Sequence, residues 1–230
     1  MVPAMTGIHP SDADFSGSQL VCVRGGRVVF AGLSFALAAG DALVLLGPNG
    51  SGKSSLLRLM AGLLKPFSGT LAWRRRAVSD DPEAHAARSH YVGHHDAIKP
   101  VLSVAENVAF WARLHEPRGD AAGQRVAGAL ERFSLAHLSA LPGKMLSAGQ
   151  RRRANLARLL AAPSPLWLLD EPTTALDRGS IRVLEGVLAE HRAQGGMVAL
   201  STHADIDLPG AREIHLDRFA PSAELAEMFL

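Results

Sequence analysis

One stretch of the sequence has the residue types and the spacing of a phosphate-binding loop. It reads Gly47, Pro48, Asn49, Gly50, Ser51, Gly52, Lys53, Ser54 and Ser55, and it fits the pattern G-x-x-x-x-G-K-[ST]. In such a loop, backbone N–H groups surround a phosphate, Lys53 adds positive charge at its outer oxygens, and Ser54 offers Mg²⁺ a hydroxyl. An apolar run precedes the loop and a helical pattern follows it, so a helix N-terminus would face the anion. The sequence therefore predicts a site for a nucleoside triphosphate and Mg²⁺.

Two adjacent carboxylates, Asp170 and Glu171, end a second apolar run, residues 165–169. Ligands of parallel α/β sheets bind at the carboxyl ends of the strands. Because neighbouring side chains at a strand end point in different directions, we expect Asp170 to help coordinate Mg²⁺ and Glu171 to orient or deprotonate the attacking water. His203 follows another predicted strand and can form a hydrogen bond to a γ-phosphate oxygen.

The elements that must position these groups follow an order typical of an α/β fold with a parallel core sheet. Strand patterns dominate up to the loop, a mostly helical segment follows, and strand–helix–strand patterns return after it. We expect one domain over residues 18–230, with an N-terminal antiparallel β subdomain. Its catalytic core comprises 18–96 and 161–230, and its inserted helical subdomain comprises 97–160. Two glycines at 25 and 26 predict a hairpin between strands at 19–23 and 27–30, with a further strand at 33–37.

Composition narrows the class of protein. The net charge of +2 argues against a strongly basic nucleic-acid-binding domain, and the single cysteine, Cys22, excludes an intrachain disulfide. No run of eighteen apolar residues predicts a membrane-spanning helix, and the first residues resemble neither a signal nor a transit peptide. We expect residues 1–17 to form a disordered tail.

A third motif gives the sequence a family resemblance. Its residues are Leu146, Ser147, Ala148, Gly149 and Gln150. They resemble the L-S-G-G-Q signature of the ATP-binding cassette (ABC) ATPases, with alanine in place of the first glycine. Residues 174–177 resemble the D-loop of that family, which ends in Asp177, and His203 resembles its switch histidine. The resemblance extends over residues 18–218, about the whole predicted domain.

This resemblance implies a P-loop NTPase fold, ATP and Mg²⁺ as ligands, and ATP hydrolysis with Glu171 and His203 as catalytic residues. It also implies that two copies of the chain pair head to tail. ATP bound at Lys53 of one copy would then be covered by Ser147 and Gly149 of the other, at a helix N-terminus.

Three further segments, residues 30–35, 91–99 and 102–108, resemble the haem-exporter ATPases of bacterial cytochrome c maturation. This implies an integral membrane permease that docks in a groove beside residues 95–106, and a peripheral place on the cytoplasmic face of the bacterial inner membrane. No nucleic acid and no direct haem site are expected. Three alternatives stay open: another ABC exporter, a soluble ABC protein acting on nucleic acid or ribosomes, and a regulatory nucleotide clamp that barely hydrolyses ATP.

Two positions depart from the family pattern. His95 is assigned to the metal and water position that the family fills with glutamine, and we expect it to contact water because imidazole is a poor Mg²⁺ ligand. Arg24 is assigned to the place of an aromatic residue that stacks on adenine; stacking and a solvent-facing arginine remain equally open. The arginine runs 74–76 and 151–153 are interpreted as solvated faces, the second with a role in partner contact.

Overall fold

A computed structural model describes residues 13–115 and 121–222 of the chain. The strands are β1 (Phe15–Arg24), β2 (Arg27–Leu37), β3 (Ala42–Leu46), β4 (Ser68–Trp73), β5 (Arg76–Ala77), β6 (Ser89–Val92), β7 (Leu166–Asp170), β8 (Met197–Ser201) and β9 (Arg212–His215). The helices are α1 (Lys53–Met60), α2 (Pro82–Arg88), α3 (Val104–His115), α4 (Ala121–Arg132), α5 (Ala148–Ala161) and α6 (Arg178–Ala193).

A parallel sheet with the strand order β6-β7-β8-β3-β9 forms the centre of the molecule. Every residue of β7 and β8 is buried, which explains why both read as continuous apolar runs. Asp170 at the end of β7 pairs with Ser201 at the end of β8, and β3 lies on the other side of β8. The sheet therefore brings the end of β3, which leads into the phosphate loop, to the same edge as the predicted carboxylates.

A second, antiparallel sheet has the order β2-β1-β4-β5, in agreement with the predicted N-terminal β subdomain. The hairpin at residues 25–26 is confirmed, but the two strands expected at 27–30 and 33–37 are one strand, β2. Its pairing with β1 shifts by one residue at Gly32, where φ is 71°. This bulge lets the strand continue through a position that the sequence marks as a break.

The expected disordered tail, residues 1–17, is too long, because β1 begins at Phe15. That side chain is fully buried, and its ring lies 5.5 Å from the ring of Phe35 and 5.1 Å from that of Trp73. Burying such an aromatic side chain stabilises the start of the strand. Residues 1–12 lie outside the described part of the chain.

Three helices, α3, α4 and α5, pack on one another and on the core of the parallel sheet. The sequence pattern predicts a capping box at Ser103 and Glu106, and these residues exchange hydrogen bonds at the start of α3. It also predicts Ser147 as the N-cap of a helix from Ala148 to about Ala161, and α5 has these bounds. Ser147 and Gln150 form a second capping box there. Within the described ranges, no helix is both long enough and apolar enough to cross a bilayer.

Candidate nucleotide site

The phosphate loop curves between β3 and α1, and its lysine lies inside the curve. Lys53 is only 7% exposed, and its Nζ donates to the carbonyl oxygens of Gly47 at 2.7 Å and Pro48 at 3.1 Å. Gly52 has φ of 104°, and a Cβ atom there would lie 2.7 Å from a methyl carbon of Val29. Only glycine fits this position, because both the backbone angle and the contact exclude a side chain.

Hard oxygen atoms suited to Mg²⁺ gather beside the loop. The Ser54 hydroxyl donates to Asp170 Oδ1 at 3.0 Å, and the Ser201 hydroxyl donates to the same oxygen at 2.8 Å. The Tyr91 hydroxyl donates to the other oxygen, Oδ2, at 3.4 Å. Asp170 is almost fully buried, so its carboxylate depends on these donors. A buried carboxylate next to the loop hydroxyl fits the oxygen coordination that Mg²⁺ requires.

Glu171 points to the other side, toward His203. Its Oε1 lies 3.4 Å from Nε2 of His203, and its Oε2 accepts a hydrogen bond from the His203 backbone N–H at 3.3 Å. The same imidazole Nε2 lies 3.1 Å from Oδ1 of Asn49 in the phosphate loop. Glu171 has φ of 51°, a left-handed angle that is uncommon for a non-glycine residue. Such angles concentrate at functional sites, where surrounding contacts hold them.

A cavity of about 640 Å³ joins these groups. Its lining includes ten predicted site residues, namely Arg24, Asn49, Gly50, Gly52, Lys53, Ser54, Ser55, Asp170, Glu171 and His203. Arg24 reaches this cavity from the last position of β1, so the antiparallel sheet contributes one wall. The fold thus places two predicted constellations, which are separated by more than a hundred residues in sequence, around one space.

The structure brings His94, and not the predicted His95, to the lining of this cavity. The two rings meet edge to face, 5.4 Å between centroids. The assignment of His95 to the metal and water position stays a prediction. His90 lies apart from both His94 and His95. It is buried, and its Nδ1 lies 3.2 Å from the carbonyl oxygen of Ala162.

Sequence reasoning missed four further contributors: Val29, Tyr91, Thr174 and Ser201. Ser201 had a usable signal, since it ends β8 as Asp170 ends β7 and the two are register partners. Thr174 also had one, since it closely follows the carboxylates. Val29 had none, because its place depends on how the antiparallel sheet packs against the phosphate loop.

The signature residues do not line the cavity of their own chain. Ser147 caps α5, and its hydroxyl oxygen accepts a hydrogen bond from the Gln150 N–H at 3.2 Å. Gly149 approaches the next loop closely, because a Cβ atom there would lie 2.9 Å from the carbonyl oxygen of Ala175. Asp177 caps α6, and the hydrogen bond from the Ser180 N–H lowers the pKa of this carboxyl group.

A second concave surface, the apolar groove, lies between the loop after β6 and helix α3. It has a volume of about 440 Å³ and is lined by Ala97, Ile98, Lys99, Pro100, Leu102, Asn107, Phe110 and Trp111. Val101 beside it is 82% exposed and Phe110 is 47% exposed. Asn107 holds the loop in shape, because its amide donates to three backbone carbonyls and accepts from the Lys99 N–H. The groove occupies the region where a permease was expected to dock.

The fold and the cavity define a P-loop protein that binds a nucleoside triphosphate at the carboxyl ends of parallel strands. A family model described as ABC transporter matches residues 30–174. The chain is similar to the cytochrome c biogenesis ATP-binding export protein CcmA of Paramagnetospirillum magneticum, with 73% identity over 94% of this chain and 99% of that one. It is 62% identical to the protein of the same name from Rhodospirillum rubrum, over 99% of this chain and 97% of that one.

The chain therefore belongs to the ABC transporter family, in the group that contains these CcmA proteins. Solved structures show the same fold. An ABC transporter ATP-binding protein from Pyrococcus furiosus has a TM-score of 0.78 at 20% identity, over 90% of this chain and 99% of that one. The ATP-binding subunit of another ABC transporter has a TM-score of 0.75 at 24% identity, over 82% and 79%. The predicted family and fold class are thus confirmed.

Proposed function

We propose that this chain hydrolyses ATP to drive a membrane transport complex of cytochrome c biogenesis, one that exports haem or releases a haem chaperone. The observation that carries the proposal is the convergence of Asn49, Glu171 and His203 beside the Ser54–Asp170 pair, in a chain that is similar over its length to CcmA proteins. The net charge of +2 gives no support to the alternative of a nucleic-acid-binding ABC protein.

Five polar residues of the cavity have roles in phosphoryl transfer to water. Lys53 binds the outer phosphates, and Ser54 and Asp170 would hold Mg²⁺, which supplies charge neutralisation at the phosphate oxygens. Glu171 orients the attacking water and accepts its proton. His203 donates to a γ-phosphate oxygen, and its contacts with Glu171 and Asn49 hold its ring between carboxylate and loop. Positioning and charge stabilisation supply most of the rate in this chemistry.

The site is completed by a second copy of the chain. Ser147 and Gly149 lie outside the cavity of their own chain, so a head-to-tail pair is the arrangement in which the signature can contact ATP. Helix α5 begins at the signature with a satisfied capping box, and its N-terminus would face the γ-phosphate of the partner's ATP.

The apolar groove is the proposed docking surface for an integral membrane permease. Exposed Val101 and Phe110 offer apolar area that a helix of the permease can bury. The loop that lines the groove also carries His94 into the nucleotide cavity. Occupation of the groove can therefore act on the catalytic edge through one short segment. Docking of this kind supports the proposal that the chain lies peripherally on the cytoplasmic face of the inner membrane.

Complementation tests the proposed biology. In a strain that lacks its own protein of this class, we expect the wild-type chain to restore covalent haem in periplasmic c-type cytochromes, and Glu171→Gln and Lys53→Ala to fail at normal expression levels. Haem staining of cytochromes measures the result. Restoration by Glu171→Gln would exclude ATP hydrolysis as the driving step. If the wild-type chain co-purifies with a membrane permease but does not restore the cytochromes, a role in cytochrome c biogenesis is excluded.

Purified protein tests the proposed mechanism. ATP with Mg²⁺ should convert Glu171→Gln from monomer to dimer in light scattering, whereas Glu171→Gln with Ser147→Arg should stay monomeric, because a bulky cation blocks the signature surface. A Glu171→Gln chain that remains monomeric with saturating ATP would contradict the head-to-tail site. Recovery of RNA or DNA in place of a membrane protein would favour the nucleic-acid alternative.

A further inference from the structure

Arg152 is a buried arginine whose guanidinium group is fully used inside the molecule. The sequence placed it in a solvated arginine run, yet only 2% of it is exposed. Its five hydrogen bonds go to Pro172 O at 3.2 Å, Gly93 O at 2.9 Å, Asp96 Oδ1 at 3.1 Å, Asp170 O at 2.9 Å and Glu171 O at 2.6 Å. Four of the five acceptors are neutral carbonyl oxygens, so Arg152 does more than form an ion pair with Asp96.

These bonds join three functional segments. Arg152 lies one turn into α5, directly after the signature. Two of its acceptors, Asp170 and Glu171, carry the side chains of the catalytic edge, and two others, Gly93 and Asp96, flank His94.

Two neighbouring contacts reinforce the junction. The Asn155 amide donates to the same Asp96 oxygen at 3.2 Å, and the close approach of Gly149 to Ala175 O fixes the start of α5 against the loop after β7. The first turns of α5 and the catalytic edge are therefore held as one unit.

The geometry also explains why arginine is needed. Guanidinium offers five N–H donors in a rigid planar fork, whereas lysine offers three on a single atom. A lysine at this position would leave buried carbonyls without donors, and buried unsatisfied carbonyls are unfavourable. Among these carbonyls is that of Glu171, whose φ of 51° needs support from its surroundings.

We propose that Arg152 is a positioning residue that couples the two nucleotide sites of a head-to-tail pair. The inference rests on the proposed pairing. In that pair, the signature of one copy contacts the ATP of its partner, whereas Glu171 of the same copy acts on its own ATP. Because Arg152 ties α5 to the Glu171 backbone, a shift of the signature when it meets the partner's ATP reorients the carboxylate in the first copy's site. Each site is then activated by the filling of the other.

The test compares Arg152→Lys and Arg152→Met with Arg153→Lys in the full-length protein. Arg153 is a matched control on the same helix, because the structure directs its guanidinium group to backbone carbonyls of its own chain, those of Phe133 and Ser134, and away from both the catalytic edge and the partner contact first expected for this run. Steady-state hydrolysis over a range of ATP concentrations gives kcat, KM and the Hill coefficient. Titration with a fluorescent ATP analogue gives affinity, and thermal unfolding shows whether each variant is folded.

We expect Arg152→Lys to bind nucleotide within about threefold of wild type, since Lys53 does not contact Arg152, while kcat falls on the order of a hundredfold through misplacement of the carboxylate. Positive cooperativity in ATP should disappear with it. Arg153→Lys should keep both kcat and cooperativity. If Arg152→Met does not fold, Arg152→Lys alone carries the test, because it retains the charge and part of the hydrogen bonding.

Three outcomes would overturn the inference: unchanged kcat in Arg152→Lys, a lower kcat with cooperativity intact, or an equal loss in Arg153→Lys. Failure of the pairing itself is detected separately. If the pairing fails, the Glu171→Gln chain with Arg152 in place does not dimerise with ATP. If only the coupling fails, dimers form, and the cooperativity is the same with and without Arg152.

Discussion

The nucleotide cavity and the apolar groove belong to one chain but differ in how their side chains are paired. In the cavity, polar groups form hydrogen bonds and contacts with one another: Ser54 and Ser201 donate to Asp170, and His203 contacts Glu171. At the groove, Val101 exposes 82% of its surface with no such internal compensation. The difference teaches that the catalytic edge is organised by the chain itself, whereas the groove exposes apolar surface of the kind that the proposed permease contact would bury. Substitutions in the two regions should therefore affect different measurements.

The largest effect is expected in the cavity. Glu171→Gln should lower the ATP hydrolysis rate about a hundredfold or more, because the amide cannot accept the water's proton, while ATP affinity stays near that of wild type. Phosphate release and equilibrium binding measure the two quantities. Glu131→Gln serves as the control, because Glu131 is exposed on α4 and lies outside the cavity lining. Comparable loss in both variants would mean that Glu171 has no special role.

A substitution in the groove should leave basal ATP hydrolysis intact and weaken binding of the permease. Phe110→Asp introduces a charge into an apolar contact, so we expect about tenfold or greater loss of permease association and of hydrolysis by the assembled complex. Co-purification from detergent and activity in liposomes measure these. Phe67→Asp is the matched control, since Phe67 is 62% exposed but does not line the groove. Equal losses from both substitutions would remove the groove as the docking surface.

The loop after β6 lines the groove and carries His94 to the cavity. Here we expect a smaller effect, which should differ between two adjacent histidines. His94→Gln should raise hydrolysis roughly two- to tenfold, because an amide oxygen can accept a hydrogen bond from the attacking water, and one hydrogen bond contributes about 0.5–1.5 kcal/mol. His95→Gln should change it little, since His95 lies outside the cavity lining. A rise in the His95 variant and not in the His94 variant would assign the water position to His95, as the sequence predicts.

The last prediction concerns the stability of the core and leaves activity and association aside. The ring of His191 stacks on Trp167 at 3.7 Å, and burial lowers its pKa to about 4. Because its unfolded pKa is about 6.5, the unfolded chain binds the proton first, so this part of the stability is complete above about pH 6.5 and is lost as the pH falls toward 4. We expect a decrease on the order of 1–2 kcal/mol between pH 7.5 and 5, allowing for partial solvent exposure.

Urea unfolding at the two pH values measures this decrease. His191→Phe keeps an aromatic stack but cannot be protonated, so its decrease should be smaller. Some decrease should remain, because burial also lowers the pKa of His85, whose Nδ1 accepts a hydrogen bond from the Trp73 indole at 2.7 Å. An identical pH dependence in wild type and His191→Phe would show that His191 does not contribute.

The sequence predicts those parts of the fold whose signals are local. Helix α5 has its predicted bounds because a capping box starts it and Pro163 follows its end, and β7 is correct because its apolar run ends in Asp170. Tertiary contacts decide the rest. Arg152 reads as one of three surface arginines, but the strand and loop that pack on its face make it an interior residue. Likewise, nothing local distinguishes His94 from His95, since the path of the chain after β6 decides which ring enters the cavity.

The hydrogen bonds of Lys53 affect the rate at which the phosphate loop binds ATP. Its ammonium group donates to the carbonyls of Gly47 and Pro48, so hydrogen bonds within the chain support the curvature of the phosphate loop. A receptor shaped in advance loses little conformational entropy on encounter. Capture of ATP should then proceed at a rate set by diffusion and charge, and differences in nucleotide affinity among variants of this loop should arise from the lifetime of the complex.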